Sequence, residues 1–586
     1  MKILKNTMIG LAVGALYLLG SCTDLSEHPY ANITDEAIDV NDPAILSDFM
    51  GKVYITLQGF YWQWDSYWDA CEEGGDCITT PVRLGVGWGG GYVNHHLHAW
   101  TENPSPGVGN AYNNCITGIL YANKCLDLLP ESAVKERAQM RFLRAFYYYI
   151  ILDLVRNPPF IETMEFEEEW LPGQLGPSGL FNWIEKELLA VKDQLGTQKV
   201  YGYANKYVAC MTLAKMYLNR NAWLRGVEPA DNSWYEKALA EVNEVINNGG
   251  YSLAPNYLDN SEPEHNANPE SIFAFPINFV SKIYGNYNVN KAHHAAGRFI
   301  YGYTGNVPYN GSGAIPQFIM SYQPGDKRLE WTWMGGVGHW ATVVNGVTIP
   351  NSGDPIELTG NVDDWAGGGV LNYNMEMHSI NNPGAYQQEG YRYHKDKIQP
   401  GSFGTYANDV NFFRLGDAMF IKAECLLRLG RDKQTAADLV TAVRMRSFDD
   451  PALAVRTVED LEGPSVYPYG VRECTSVGYN NWETWIDIPE GGDDIILGGL
   501  LDDLAWEFMG EHHRRQDLIR FTLTNGKSVW IGKSRFSFRA HDNQWREYYG
   551  INLNILRANL NLMQNPGYND QDGVKSASWN ANATAN

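Results

Sequence analysis

Residues Arg137 to Ile150 read R-A-Q-M-R-F-L-R-A-F-Y-Y-Y-I, and their apolar side chains recur at helical spacing. The pattern extends from Ser132 to Val155 and predicts one amphipathic helix. Asn157-Pro158-Pro159 would end it, because proline cannot continue a helix. The same periodicity occurs in Asn114 to Leu129, Trp183 to Leu195, Lys206 to Trp223, Trp234 to Asn247, Phe412 to Leu429, Thr435 to Met445, Leu500 to Phe521 and Asn552 to Met563. Such consecutive helices indicate stacked helical hairpins of the TPR kind.

The helical pattern is interrupted from about residue 250 to residue 407. This stretch is rich in Gly, Asn, Pro, Tyr and Trp and has only short apolar runs. A long loop-rich insert between helices usually carries function. The sequence therefore predicts a mainly α protein with an irregular insert that contains short strands.

The N-terminus has the features of a bacterial lipoprotein leader. Lys2 and Lys5 precede a short apolar core, and Leu19-Gly20-Ser21-Cys22 forms a lipobox. We predict that residues 1–21 are a signal peptide and that Cys22 carries the lipid that anchors the protein to a membrane. An ordinary secreted protein with Cys22 at this place by chance is the alternative.

Charge and cysteine content restrict the function further. The formal net charge is -23, which disfavours nucleic acid and anionic lipid surfaces as partners. Cys71 and Cys77 bracket a short acidic loop and could form a disulfide in an oxidising compartment. The sequence alone does not decide whether they pair. Cys115, Cys125, Cys210 and Cys425 lie in apolar helical patterns and are expected to be core thiols.

Four stretches resemble the signatures of SusD/RagB outer-membrane lipoproteins, and they occur in the family's order. They are Arg137 to Pro159, Phe413 to Gly430 with Ala442-V-R-M-R, Trp506 to Phe521, and Asn561-L-M-Q-N-P-G-Y. Trp506 and His512-His513 depart from the family pattern. These departures concern packing more than the assignment.

The resemblance implies a fold and a role. It implies one SusD-like domain over residues 22–586, with TPR-type hairpins in a right-handed superhelical scaffold at about 40–250 and 408–565. The ligand-side insert would lie at about 250–407. The resemblance implies that the protein sits as a lid on a SusC-like TonB-dependent transporter. There it would capture oligosaccharides or polysaccharides at the outer face of the outer membrane. Members of the family are not enzymes, and no cofactor is expected.

Charged and metal-binding patterns have simple structural explanations. Charges at helical spacing form ion pairs and solvated faces more often than catalytic sites; here they are Arg141, Arg144, Glu424, Arg428, Glu507, Glu511, Arg514, Arg515 and Asp517. His95, His96 and His98 lack a carboxylate at clear spacing, so no metal site is predicted. The acidic loops Glu72 to Asp76 and Gly491 to Asp494 leave a structural calcium ion open, although neither has an EF-hand pattern.

Aromatic residues are the best candidates for ligand contact. Sugars have C–H-rich faces, which pack on flat rings, and hydroxyl rims, which need polar partners. Phe60 to Trp68 read F-Y-W-Q-W-D-S-Y-W; helical spacing predicts that Phe60 and Trp64 are core, while Trp62 and Trp68 could line a site. The loop after Thr79 resembles a further family region. It places Trp88 between two glycines, and we predict Trp88 to be the main stacking residue. The remaining candidates are Arg83, Tyr92, Asn94, Trp331, Trp333, Trp340, Trp365 and Tyr287.

Three competing functions remain. A protein of the same family could capture peptides or another nutrient by the same lid mechanism. A glycoside hydrolase would need two carboxylates that flank a cleft, and no motif indicates such a pair. A helical scaffold without a small ligand would leave the aromatic-rich insert unexplained.

Overall fold

The computed structural model describes residues 43–61, 64–101, 106–164, 169–263, 268–277, 288–303, 307–358, 369–381, 384–396, 398, 408–474, 485–486, 489–533 and 543–568. Backbone contacts divide the chain into two compact units, Met1–Asp48 and Phe49–Asn586. The first unit contributes only the start of one helix to the described part, and all other described elements belong to the second. The predicted leader and Cys22 lie outside the described residues, and the lipid anchor stays a prediction. No described helix combines the length and apolar character that a bilayer crossing needs.

Helices dominate the described chain. In the first half they are α1 Pro43–Ile55, α2 Tyr67–Glu72, α3 Gly90–His96, α4 Val108–Leu128, α5 Val134–Val155, α6 Gly176–Val191, α7 Lys206–Trp223, α8 Ser233–Asn248, and α9 Asn288–Ala292. Later come α10 Pro316–Ser321, α11 Arg328–Thr332, α12 Leu415–Arg428, α13 Lys433–Arg444, α14 Pro451–Ala454, α15 Val458–Glu462, α16 Gly498–Phe508, α17 Arg514–Arg520, α18 Val529–Gly532 and α19 Leu553–Ala558. Short 3-10 helices are Thr56–Phe60, Tyr257–Ser261, Ala295–Tyr301, Met445–Ser447 and Gln544–Glu547.

Consecutive helices pack as hairpins, as the periodicity predicts. The pairs are α4 with α5, α7 with α8, and α12 with α13. Close packing depends on small residues: a Cβ at Gly118 of α4 would lie 2.3 Å from the Tyr147 ring of α5. The predicted bounds of α7 agree with the structure, because Asn205 caps the helix by accepting from the amides of Tyr207 and Val208.

Three predicted helices differ from the structure. The helix predicted over Asn552 to Met563 is only Leu553–Ala558. Val410–Arg414 is a strand, β12, that pairs antiparallel with β2, Ser271–Phe275, so the helix predicted from Phe412 begins only at Leu415. A buried partner strand outweighs the helical pattern there. The segment Leu500 to Phe521 splits into α16 and α17, because Gly510 and His512 adopt φ angles of 82° and 66° that end the first helix.

The insert consists of loops, the short helices α9, α10 and α11, and short two-stranded ladders. Its strands are β3 Gly313–Ala314, β4 Trp333–Met334, β5 Gly336–Val337, β6 Thr342–Val344, β7 Val347–Ile349, β8 Glu357–Leu358, β9 Gly369–Val370, β10 Asn372–Tyr373 and β11 Arg392–Tyr393. Strand β1, Ile78–Thr79, pairs with β3, and Arg83 forms a bridge with Ala385. The insert therefore supports the loop that carries Trp88. The chain also forms β13 Glu473–Cys474 with β14 Trp485–Ile486.

The charged signature residues form a buried ion-pair network. Arg414 at the end of β12 binds Glu270 at 2.8 Å, Glu507 at 3.0 Å and Glu511 at 2.7 Å. Arg446 and Arg328 also bind Glu507, at 2.8 Å and 3.1 Å. Burial alone would raise the pKa of Glu507, but the three guanidinium groups outweigh it and hold that pKa well below its usual range. These charges join the C-terminal half of the helical scaffold to Glu270 and Arg328 of the insert, as the ion-pair interpretation predicts.

Six cysteines of the described part are free. Cys71 and Cys77 do not pair, which decides the alternative that the sequence left open. Both are buried, and burial raises the pKa of each thiol. Cys115, Cys125, Cys210 and Cys425 are also buried, in agreement with core thiols.

Candidate functional site

Three partly exposed aromatic rings meet at the junction of the Trp88 loop and the insert. The ring centroids of Trp64 and Trp88 lie 6.0 Å apart, and those of Trp64 and Tyr309 lie 4.6 Å apart, both edge to face. The Trp88 indole N–H donates to the Tyr309 carbonyl at 2.6 Å. Trp64 and Trp88 are half-buried and Tyr309 is 36% exposed. We call these three residues the platform.

Residues of the insert pack against the buried side of the Trp88 ring and hold it in place. A Cβ at Gly311 would lie 2.8 Å from the Trp88 ring, so the indole rests directly on the glycine backbone. Lys291 of α9 places its ammonium 5.8 Å from the Trp88 centroid and 4.0 Å from that of Tyr92. Tyr92 in turn contacts Trp88 edge to face at 5.7 Å. Packing on several sides leaves the ring little freedom to rotate.

Lys291 is the centre of a buried polar network beneath the platform. Its ammonium binds Asp69 and Glu73 at 2.6 Å each, and all three side chains are inaccessible to solvent. Burial alone would lower the pKa of Lys291, but the two carboxylates outweigh it and the pKa is raised. Glu73 also accepts from the Thr80 and Ser312 hydroxyls at 2.7 Å each. The network thus ties α2 to α9 and to the segment before β3.

Arg83 is a support rather than a ligand contact. It is 1% exposed and donates to the carbonyls of Gly311 at 2.7 Å, Tyr386 at 2.9 Å and Glu389 at 2.9 Å. The guanidinium uses Nε and Nη1 for these three carbonyls, and Nη2 is buried, so the side chain does not reach the surface where a sugar would bind. We therefore correct its predicted role from ligand contact to positioning of the Trp88 loop.

Three further predicted contacts are buried and receive the same correction. Trp68 is 1% exposed and donates to the Gly510 carbonyl at 2.9 Å. Trp333 is 2% exposed and donates to the Tyr322 hydroxyl at 3.2 Å. Tyr92 is 8% exposed and donates to Asp69 at 3.2 Å. Trp68 and Tyr92 lie against Lys291 beneath the platform, whereas Trp333 packs on Phe318 and Tyr393.

The remaining predicted residues are more dispersed. Asn94 is exposed on α3, within a few residues of Trp88 in sequence. Trp331 is half-buried and stacks on Tyr257 at 5.8 Å, while Trp340 is 42% exposed and stacks on Phe299 at 4.3 Å. Their described ring partners are not platform residues. Trp62, Tyr287 and Trp365 lie outside the described residues and stay predictions.

Two of the three platform rings differ from what the sequence predicts. Helical spacing continued past Phe60 places Trp64 in the core, whereas the 3-10 helix ends at Phe60 and Asp65 adopts φ 63°. Trp64 consequently turns outward. Tyr309 is not among the predicted residues, although Pro308-Tyr309-Asn310-Gly311 is an aromatic residue beside turn formers, a pattern typical of exposed loops. Phe60 is fully buried, as predicted.

The carboxylates of the acidic loop Glu72 to Asp76 form hydrogen bonds and ion pairs with other residues of the protein. Glu72 accepts from the His512 amide at 2.9 Å, Glu73 binds Lys291, and Asp76 binds Arg514 at 2.6 Å. These partners disfavour calcium at that loop. His95 and His98 also have partners, the Tyr549 hydroxyl at 2.7 Å and the Gly74 carbonyl at 3.0 Å.

One cluster of metal-binding groups occurs elsewhere in the described part of the chain. Glu376, His378 and Glu389 bring one ligand atom each to within 4.8 Å of one another. His378 bonds to Glu389, and this bond raises the pKa of the imidazole. A protonated His378 between two carboxylates accounts for the arrangement, although the three groups could also hold a divalent cation.

The described chain is mainly helical and carries a cluster of aromatic rings at its surface. A family model described as the SusD family matches residues 311–568. The starch-binding protein SusD of Bacteroides thetaiotaomicron is 25% identical over 74% of this chain and 73% of its own. SusD-like protein P25 of Formosa agariphila is 23% identical over 71% and 70%. The solved structure of surface glycan-binding protein A from Bacteroides uniformis superposes with a TM-score of 0.62 at 19% identity, over 89% of this chain and 98% of that one.

The SusD family model thus matches the C-terminal part of the chain, and the resemblance read from the sequence motifs agrees with these relatives. The names of two of these similar proteins describe binding proteins, which agrees with the prediction that the chain is not an enzyme. The mainly α SusD-like fold is confirmed. Trp64, Trp88 and Tyr309 lie outside the matched range 311–568, so the family match does not by itself indicate the platform.

Proposed function

We propose that this protein is a cell-surface glycan-binding lipoprotein that captures oligosaccharides or polysaccharides and delivers them to a SusC-like TonB-dependent transporter. The observation that carries the proposal is the platform. Its three adjoining, partly exposed rings offer apolar faces on which the C–H faces of sugars can pack. The ligands named for two similar proteins, starch and glycan, support the same class of ligand.

The support beneath the platform lowers the entropic cost of binding a ligand. Lys291, Arg83 and Gly311 fix the rings before any ligand arrives, so little side-chain freedom is lost on binding. Individual sugar contacts are weak, and many copies held on one membrane would add their affinities for a long chain. Lipidation at Cys22 and an outward-facing position in the outer membrane follow from the lipobox and the family resemblance.

Native affinity electrophoresis of residues 23–586 through gels that hold neutral and acidic plant, fungal and host polysaccharides tests the proposal. We expect retardation by one polymer class and its loss in Trp88→Ala. Trp170→Ala, which removes another exposed tryptophan far along the chain, is the matched control and should migrate like the wild type. Trp170→Ala should keep the wild-type unfolding temperature because its ring is 43% exposed. Trp88→Ala removes the contacts with Tyr92 and Gly311, so it should unfold at a lower temperature while its circular dichroism spectrum stays that of the wild type.

Two outcomes would count against the proposal. If no polysaccharide retards the wild type, capture of peptides or of another nutrient by the same lid mechanism becomes the better explanation. If Trp170→Ala loses as much retardation as Trp88→Ala, the platform is not the binding surface. Delivery is tested separately: immobilised protein should retain a TonB-dependent receptor from detergent-solubilised outer membranes of the source organism, and its absence would contradict the transporter partnership.

A further inference from the structure

A cavity of about 410 Å³ has in its lining Asp65, the residue that follows Trp64 of the platform. One wall is the start of α4 and the other is the segment Gly550 to Ile555. Four asparagines line it: Asn110, Asn113, Asn552 and Asn554. Asp65 and Tyr112 complete its polar lining. The sequence patterns that predict ligand contact do not include these residues.

Asp65 connects the cavity to the platform. It follows Trp64 directly in the chain and adopts φ 63°, a conformation that is costly for a residue other than glycine. The Gly107 amide and the Asn110 side chain both donate to Asp65, the latter to its carbonyl at 2.7 Å. The turn that directs Trp64 outward is therefore the same turn that holds the first wall of the cavity.

The second wall is fixed by the C-terminal signature. The Gln564 side chain accepts from the Ile551 amide and donates to the Ile551 carbonyl, both at 2.8 Å. The Asn565 side chain donates to the Tyr549 carbonyl at 2.8 Å and also to the carbonyl of Val155. Since both walls are bonded to buried structure, the cavity is preformed.

The chemistry of the lining points to a neutral, hydroxyl-rich ligand. Asn113 and Asn554 are exposed, and among the described residues their amide side chains have no hydrogen-bond partner. An amide both donates and accepts, as a sugar hydroxyl does. No lysine or arginine of the described chain lines the cavity, so an anionic sugar would meet Asp65 without a compensating cation.

We propose that this cavity is a second subsite, which binds further sugar units of a neutral oligosaccharide chain that is held on the platform. The inference rests on the proposed glycan-binding function. It predicts that affinity grows with chain length until the oligosaccharide reaches from the platform into the cavity. Asn113 and Asn554 would supply hydrogen bonds to the distal units.

The test is isothermal titration with a size-fractionated hydrolysate, disaccharide to octasaccharide, of the polysaccharide that most retards the wild type. The variant is Asn113→Ala with Asn554→Ala, and Asn247→Ala at the exposed end of α8 is the control. We expect the double variant to bind the longest fraction about tenfold more weakly than the wild type does, because two hydrogen bonds are lost. For the shortest saccharide that binds measurably, the two proteins should have equal affinity.

The outcomes separate the inference from the function on which it rests. Equal affinity of the double variant and the wild type for the longest fraction would overturn the subsite while Trp88→Ala still abolishes binding. Equal losses for short and long saccharides would place the two asparagines at the platform itself and would also overturn it. Absence of wild-type binding to every polysaccharide would remove the proposed function, and the subsite with it.

Discussion

At the scale of single residues, Tyr309 does two separate things for the platform. Its ring lies 4.6 Å from Trp64, and its main-chain carbonyl accepts the Trp88 indole N–H. Only the first depends on the side chain. Replacement of the ring thus removes one stacking face and leaves the indole bond in place.

Tyr309→Ala should weaken polysaccharide binding with little effect on folding. Loss of one exposed ring of this kind removes an aromatic contact, which corresponds to about a fivefold weaker dissociation constant. The unfolding temperature should remain that of the wild type, since the ring is already partly solvated. Titration calorimetry and thermal unfolding measure the two quantities.

Tyr121→Ala is the matched control for this variant, because it removes a 44% exposed tyrosine from α4. Its affinity should equal that of the wild type. An unchanged affinity in Tyr309→Ala would mean that sugars contact Trp88 and Trp64 alone.

At the scale of elements, the platform depends on helices and strands that are far apart in sequence. Ion pairs between β12, α16 and the Glu270 segment hold the scaffold, and Lys291 and Arg83 attach the insert to it. Glu507 faces three arginines in this arrangement. Such a carboxylate is strongly stabilising only because its absence leaves several buried cations without compensation.

Glu507→Gln should lower the free energy of unfolding by about 3–5 kcal/mol, because three guanidinium groups would lose their shared counter-charge. Glu131→Gln breaks an ion pair of the same type with Arg137, at 3.0 Å, but Glu131 is 90% exposed. That control should change stability by less than about 1 kcal/mol. Urea unfolding followed by circular dichroism measures both, and equal midpoints for the two variants would show that the buried network is not stabilising.

The helices could be predicted from the sequence better than the site, because helices depend on local sequence and the site depends on contacts between distant segments. Helices such as α5 and α7 are set by local periodicity and capping, so short stretches of sequence suffice. The sequence predicts helix for β12 because its partner β2 is more than a hundred residues away in the chain. It predicts a core position for Trp64 because one turn at Asp65, stabilised by Gly107 and Asn110, decides the direction of that ring. Arg83 resembles a ligand contact in sequence because its three carbonyl partners lie in the distant insert.

At the scale of the whole molecule, buried ionisable groups make stability depend on pH. Burial raises the pKa of Glu72 from 4.5 to about 8, although its partners, chiefly the His512 and Gly510 amides, oppose the shift. The folded protein therefore keeps a proton that the unfolded chain releases above about pH 4.5. Because the folded state binds more protons in this window, the free energy of unfolding falls as pH rises from about 4.5 to about 8.

Glu72→Gln should remove that part of the pH dependence. Glutamine keeps the oxygen that accepts from the His512 amide and does not titrate, so the variant should gain unfolding temperature relative to the wild type between pH 5 and pH 8. Other groups titrate in both proteins and cancel in the difference. Differential scanning calorimetry at the two pH values checks this. For Glu131→Gln, the difference in unfolding temperature from the wild type should be the same at pH 5 and at pH 8. If the difference for Glu72→Gln is also the same at the two pH values, the prediction is wrong.

A substitution at Gly311 would change the position of the Trp88 ring and, through it, the ligand that the platform prefers. Any other residue there brings a Cβ to 2.8 Å from the Trp88 ring, so the indole must rise or tilt. The mutation would not touch the sugar, and it would leave every aromatic residue of the platform in the sequence. Two paralogues with identical surface rings could therefore present different curvatures, and differ in the glycan they prefer, through one position hidden beneath the tryptophan.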